Sequence, residues 1–147
     1  MKFFTRILML FFPVLAIAQD SVVTITPSMF DKNSDQFFIA SADGWIFKQG
    51  NDTNWAKKDF NVTGWKKLKP VDLSAKYADK TGKAECWFRI KIKPDGTLGN
   101  QPLGVKLGSW AASDLYIDGN LVLSAGNTGI NSKPFKEFCP YGNPSYP

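Results

Sequence analysis

The stretch Glu85-Cys86-Trp87-Phe88-Arg89-Ile90-Lys91-Ile92-Lys93 carries the cleanest alternation in the chain. Cys86, Phe88, Ile90 and Ile92 fall on one face and Trp87, Arg89, Lys91 and Lys93 on the other, the two-residue period of a half-buried strand. One side reads as core and the other as wet. Such a strand must bury its apolar face against a second layer. The rest of the chain offers short strands and turns rather than helical periods, so the expected class is all-β and the expected architecture a sandwich.

Working outward, Pro94-Asp95-Gly96 closes this strand in a turn, and Leu103-Gly104-Val105-Lys106-Leu107 alternates again. Asp114 to Leu123 is a hairpin signal, with Asp118-Gly119 at the tight turn and apolar residues on both sides. Toward the N-terminus, the β-branched run Val22-Val23-Thr24-Ile25-Thr26 reads as a first strand ended by Pro27, and Phe37-Phe38-Ile39 as a short second one. Asp43-Gly44 turns the chain into the aromatic strand Trp45-Ile46-Phe47. Trp55 to Phe60 suits a single helical turn, and the polar segment 74–83 a surface loop. Trp45, Trp55 and Trp65 fall ten residues apart, but the residues between them do not match, so no repeat is inferred. Core anchoring is the first reading for these three and for Trp87, since each indole buries a large surface.

The ends and the composition set the compartment. Lys2 and Arg6, an apolar run at 7–17 and Ala16-Ile17-Ala18 have the layout of a secretory signal peptide at residues 1–18, cleaved before Gln19. The apolar run is well short of the roughly 20 residues a membrane-crossing helix needs. Removing 18 residues from 147 leaves 129, which fits one domain. The division expected is a sandwich over 19–130 and an irregular, Pro-rich tail over 131–147, with the last strands of the sandwich lying past Pro147. Any membrane anchor would also lie outside this chain. The formal charge of +5 falls to +3 without Lys2 and Arg6, and Lys57-Lys58 and Lys66-Lys67-Lys69 read as solvated faces. Export to the periplasm or beyond makes nucleic acid an unexpected partner. In an oxidising compartment Cys86 and Cys139 can form a disulfide, although a free buried thiol fits Cys86 equally well.

The chain has no histidine. That removes Ser-His-Asp and Cys-His nucleophile pairs and ordinary zinc sites. A carboxylate pair of the glycosidase kind needs only Asp or Glu, yet Asp43-Gly44, Asp95-Gly96 and Asp118-Gly119 are explained by turn chemistry. The expectation is a protein that is not an enzyme.

The order Trp45-x-Phe47-x-x-Gly50-Asn51-Asp52, Trp55-Ala56, Asp59-Phe60-Asn61-x-x-x-Trp65, Gly82, Trp87-Phe88-Arg89, Leu115-Tyr116-Ile117-Asp118-Gly119 and Gly126 resembles the galactose-binding-domain-like jelly roll. This is the version found as the sugar-binding domain of family-two glycoside hydrolases and as the periplasmic input domain of bacterial sensor kinases. The resemblance covers residues 45–126. It implies that Trp87-Phe88-Arg89 is a framework strand, with Arg89 bonded to an acid or a backbone carbonyl inside the fold. Asp118-Gly119 stands where Asn-Gly is more frequent, and Gly64 where a small polar residue is common. The hydrolases keep their catalytic carboxylates in a separate barrel, so the resemblance implies no catalysis.

Three functions are consistent with this reading: a sensor input domain, a carbohydrate-binding accessory domain, and a structural or protein-docking domain without a small ligand. For a sugar, Trp110 flanked by Ser109 and Ser113 is the stretch to watch, since a loop tryptophan can stack on a ring. Asp43, Asn51 and Asp52 can offer oxygens to a Ca²⁺ ion, as in some jelly rolls, although a turn is the plainer explanation. No other cofactor is expected. If the leader is cleaved as read, intact mass spectrometry of the protein exported from a bacterial host will show a chain beginning at Gln19; retention of Met1 to Ala18 would contradict it.

Overall fold

The structure, a computed structural model, describes residues 21–108, 111–129, 134–136 and 138. Residues 1–18, read above as a leader, Ser109, Trp110, Cys139 and most of the 131–147 tail lie outside them. Within the described residues the chain is all-β. Seven strands form three small sheets, and helix is confined to 3-10 turns of three or four residues.

The central sheet is antiparallel with order β3-β2-β4, from Lys66–Lys67, Ile46–Gln49 and Cys86–Arg89. β1 (Val22–Ile25) pairs in parallel with β5 (Lys91–Pro94), and β6 (Ser113–Ile117) forms a hairpin with β7 (Asn120–Ala125). Asp118 at φ 48° and Gly119 at φ 87° make the two-residue turn, the pair of left-handed conformations a tight hairpin demands and the reason Asp-Gly signals one. Between Leu115 and Tyr116 the register shifts, leaving Val122 as an extra residue on β7, a bulge that increases local twist.

Aromatic residues cover both faces of the central sheet. Register places Lys67, Ile46 and Arg89 in one row, so these three side chains share a face with Lys48 and Trp87. Over this face lies the loop from the 3-10 turn Thr53–Ala56 to Trp65, burying Trp55, Val62 and Trp65, with Ile46, Phe60 and Trp87 packed against them. Trp55 meets Trp65 edge-on at 5.5 Å between centroids and Trp87 at 6.2 Å. The opposite face carries Phe47, only 3% exposed, with Phe88 at 5.2 Å and Tyr77 at 4.8 Å. Offset and edge-on aromatic pairs of this kind each add about 0.5–1.5 kcal/mol beyond the area they bury. Gly50, at φ 118°, permits the close approach: a Cβ there would stand 2.9 Å from the Trp55 ring.

Three expectations need correction. The 85–93 stretch is two strands, because the chain leaves the central sheet at Ile90 and β5 joins β1 instead. Its faces therefore do not divide into core and water: Trp87 and Arg89 are half-buried against the tryptophan loop, while Ile92 is 47% exposed on a two-stranded sheet with little to cover it. The 103–107 segment forms no strand, and Leu103 and Val105 are 44% and 56% exposed. Among the described residues the alternation there finds no partner strand, and a lone extended segment gains no ladder bonds. Phe37 and Phe38 are also not a strand. They lead into the 3-10 turn Ile39–Ser41, whose Ile39 carbonyl accepts the Trp45 indole N–H at 2.8 Å.

Arg89 fastens the loop to the sheet. Its Nη1 donates to Trp55 O at 3.0 Å and Lys57 O at 2.7 Å, and its Nη2 to Lys58 O. Lysine offers one rotatable ammonium in place of a planar fork. Arg89→Lys is therefore expected to lower stability by about 2–3 kcal/mol, the worth of one or two charge-assisted bonds. Urea unfolding followed by tryptophan fluorescence measures it, and an unchanged midpoint would contradict the role.

Candidate functional site

The residues singled out for a calcium site fall on either side of one strand. Asp43 lies before β2, and Asn51 and Asp52 lie after it, so the strand holds them at its two ends. Each acid also has a local task. Asp43 pairs with Lys69 at 2.8 Å, a hydrogen bond and charge that hold its carboxyl below the usual range. Asp52 caps the Thr53–Ala56 turn, its Oδ1 accepting from Asn54 N and Nδ2, both at 2.9 Å. Among the described residues no group of three or more acids or cysteines is placed to hold a metal ion. Of the proposed sugar contacts, Ser109 and Trp110 lie outside the described residues. Ser113 begins β6 and donates from Oγ to Ala111 O at 3.0 Å.

The framework residues take up positions around the central sheet. Trp55, Trp65 and Trp87 form the cluster on one face, and Trp45 meets Phe88 edge-on at 6.3 Å on the other. Trp87 also stacks on Tyr116 at 5.2 Å, joining the β6–β7 hairpin to the central sheet. Cys86 is a half-buried free thiol, and burial pushes its pKa up; its suggested partner Cys139 lies outside the described residues.

An open cleft of about 320 Å³ lies where the segment 77–85 passes the end of β2, lined by Gln49, Gly50, Tyr77, Ala78, Asp79, Lys83 and Glu85. Two local motifs build it. Asp79 folds its own loop, Oδ1 accepting from Thr81 N at 2.8 Å, Thr81 Oγ1 at 2.6 Å and Lys83 N at 3.1 Å, which hold its carboxyl below the usual range. Tyr77 is fixed by Phe47 beneath it and by Gln49, whose Nε2 donates to Tyr77 O at 2.9 Å. Across the opening Lys83 Nζ meets Glu85 Oε1 at 2.6 Å. An aromatic ring beside an amide, two carboxylates and an ammonium suits a small polar ligand, and offers no paired nucleophile and base. Sequence reasoning treated 74–83 as plain surface loop. Tyr77, the single aromatic in that polar run, was the available signal.

Compared with protein-family models, curated proteins and solved structures, the chain matches none.

Because a desolvated thiol is a poor thiolate at neutral pH, the peptide carrying Cys86 is expected to alkylate with iodoacetamide at pH 8 at least tenfold more slowly in the native protein than in urea. Peptide mapping at timed quenches reads this out, and equal rates would contradict the burial.

Proposed function

We propose that the protein is a non-catalytic, exported β-sandwich module of the galactose-binding-like jelly-roll kind, serving as the extracytoplasmic input domain of a bacterial membrane signalling protein. The observation that carries the non-catalytic part is the use of its richest side chains. Trp55, Trp65 and Trp87 pack on one another, and Arg89 is occupied by three backbone carbonyls. These are bracing roles, the chain has no histidine, and Asp52, Asp79 and Asp95 serve turns and caps. The input-domain part is supported by the order of motifs from Trp45 to Gly126 and by the leader-like residues 1–18.

A carbohydrate-binding accessory domain is the second reading. The cleft beside Tyr77 favours it, since an aromatic ring flanked by amide and carboxylate groups matches what a sugar presents. Titrating the protein with a panel of mono- and oligosaccharides, followed by tryptophan fluorescence and calorimetry, separates the two. The input-domain reading expects no saturable response at millimolar sugar. A saturable response abolished by Trp110→Ala or Tyr77→Ala would replace it with the sugar-binding reading.

A further inference from the structure

We infer that the face of the central sheet bearing the tryptophan cluster carries a cationic rim that docks on an anionic lipid surface. The five cations concerned are Lys48, Lys57, Lys58, Lys67 and Arg89; Lys66 is paired with Phe47 and so belongs to the opposite face. Lys67 and Arg89 are both paired with Ile46 on neighbouring strands, which puts their Cα atoms about 10 Å apart with side chains on one face. Arg89 grips the carbonyls of Lys57 and Lys58, bringing that dipeptide to the same place. Lys48, two residues along β2 from Ile46, extends over the Trp55 ring with Nζ 4.6 Å from its centroid. Lys67 is exposed on the edge strand β3.

The acids facing these groups are few. Asp118 reaches Lys58 at 3.8 Å with both side chains mostly in water, a weak pair. Asp52 is engaged with Asn54, and Asp59 is exposed. Lys69 is set aside because Asp43 holds it at 2.8 Å. Five cations against three carboxylates leave a surplus of two out of the net charge of +3 on residues 19–147. Arg89 adds to this field because its partners are neutral carbonyls, which satisfy its donors without cancelling its charge.

The shape of the rim selects the partner. Nucleic-acid strands are held by a groove with exposed rings on which bases stack, whereas Trp55 and Trp65 here are buried under their own loop. Lysines spread over a sheet edge and the adjoining loop instead match a planar array of phosphate groups, to which each nearby lysine contributes about 1 kcal/mol before screening by salt.

The test is co-sedimentation of the full chain with vesicles of phosphatidylcholine alone or with 40 mol% phosphatidylglycerol, read as the ratio of anionic to neutral binding. That ratio cancels any pull from the apolar residues at 7–17. The expected result is a ratio above ten in 50 mM salt that collapses by 0.5 M. It should fall about tenfold or more in Lys57→Glu/Lys67→Glu and less than threefold in Lys32→Glu/Lys106→Glu, which changes net charge equally on exposed sites outside the central sheet and its covering loop. A ratio near one, equal losses in the two double variants, or retention on heparin without vesicle binding would each overturn the inference. Near-ultraviolet circular dichroism of both variants confirms that the tryptophan cluster is intact.

Discussion

The contact on which the rest of the structure depends is the guanidinium of Arg89 against the carbonyls of Trp55, Lys57 and Lys58. A loop crossing a sheet face presents backbone oxygens that would be desolvated without partners. One planar cation with five donors answers three of them at once and fixes the height of the loop over the strands. That height sets where Trp55 lies, and Trp55 in turn meets Trp65 and Trp87. Gly50 supplies the matching concavity, since any side chain there would strike the Trp55 ring.

The sheets themselves are too small to hold the fold by hydrogen bonding alone. Two-stranded elements are marginal in water unless something packs on them, and two of the three sheets are of that size. The aromatic residues compensate by linking elements: Phe47 and Phe88 reach the 75–77 turn through Tyr77, and Trp87 reaches the hairpin through Tyr116. Stability is thus concentrated around the central sheet, with β5, β7 and the 103–107 segment left largely to solvent.

What could be read in the sequence was local, and what could not was pairing. The Asp118-Gly119 turn was legible because its φ values are imposed within two residues, and the first strand because Pro27 ends it. The buried tryptophans were legible from size alone. The division at Ile90 was not, because alternation records which side a residue takes and not which neighbour it bonds. For the same reason 103–107 carried a strand pattern without a strand. Asp43 and Asp52, read together as calcium ligands, are near in number, but strand β2 lies between them. The cleft at Tyr77 stayed hidden because it is assembled from β2, β4's approach and a loop, each unremarkable by itself.

The single-residue step at Ile90 has a mechanical corollary. β4 and β5 are one covalent rod gripped by two different sheets, and β5 runs parallel to β1. Tension entering through Ser21 and leaving past Pro94 would drag those two parallel strands in opposite senses along their length. Their bonds would bear load simultaneously rather than peel one after another, as those of the β6–β7 hairpin would if its open ends were parted. Pulling force applied at that entrance would accordingly reach the tryptophan-covered sheet through a stiff coupling.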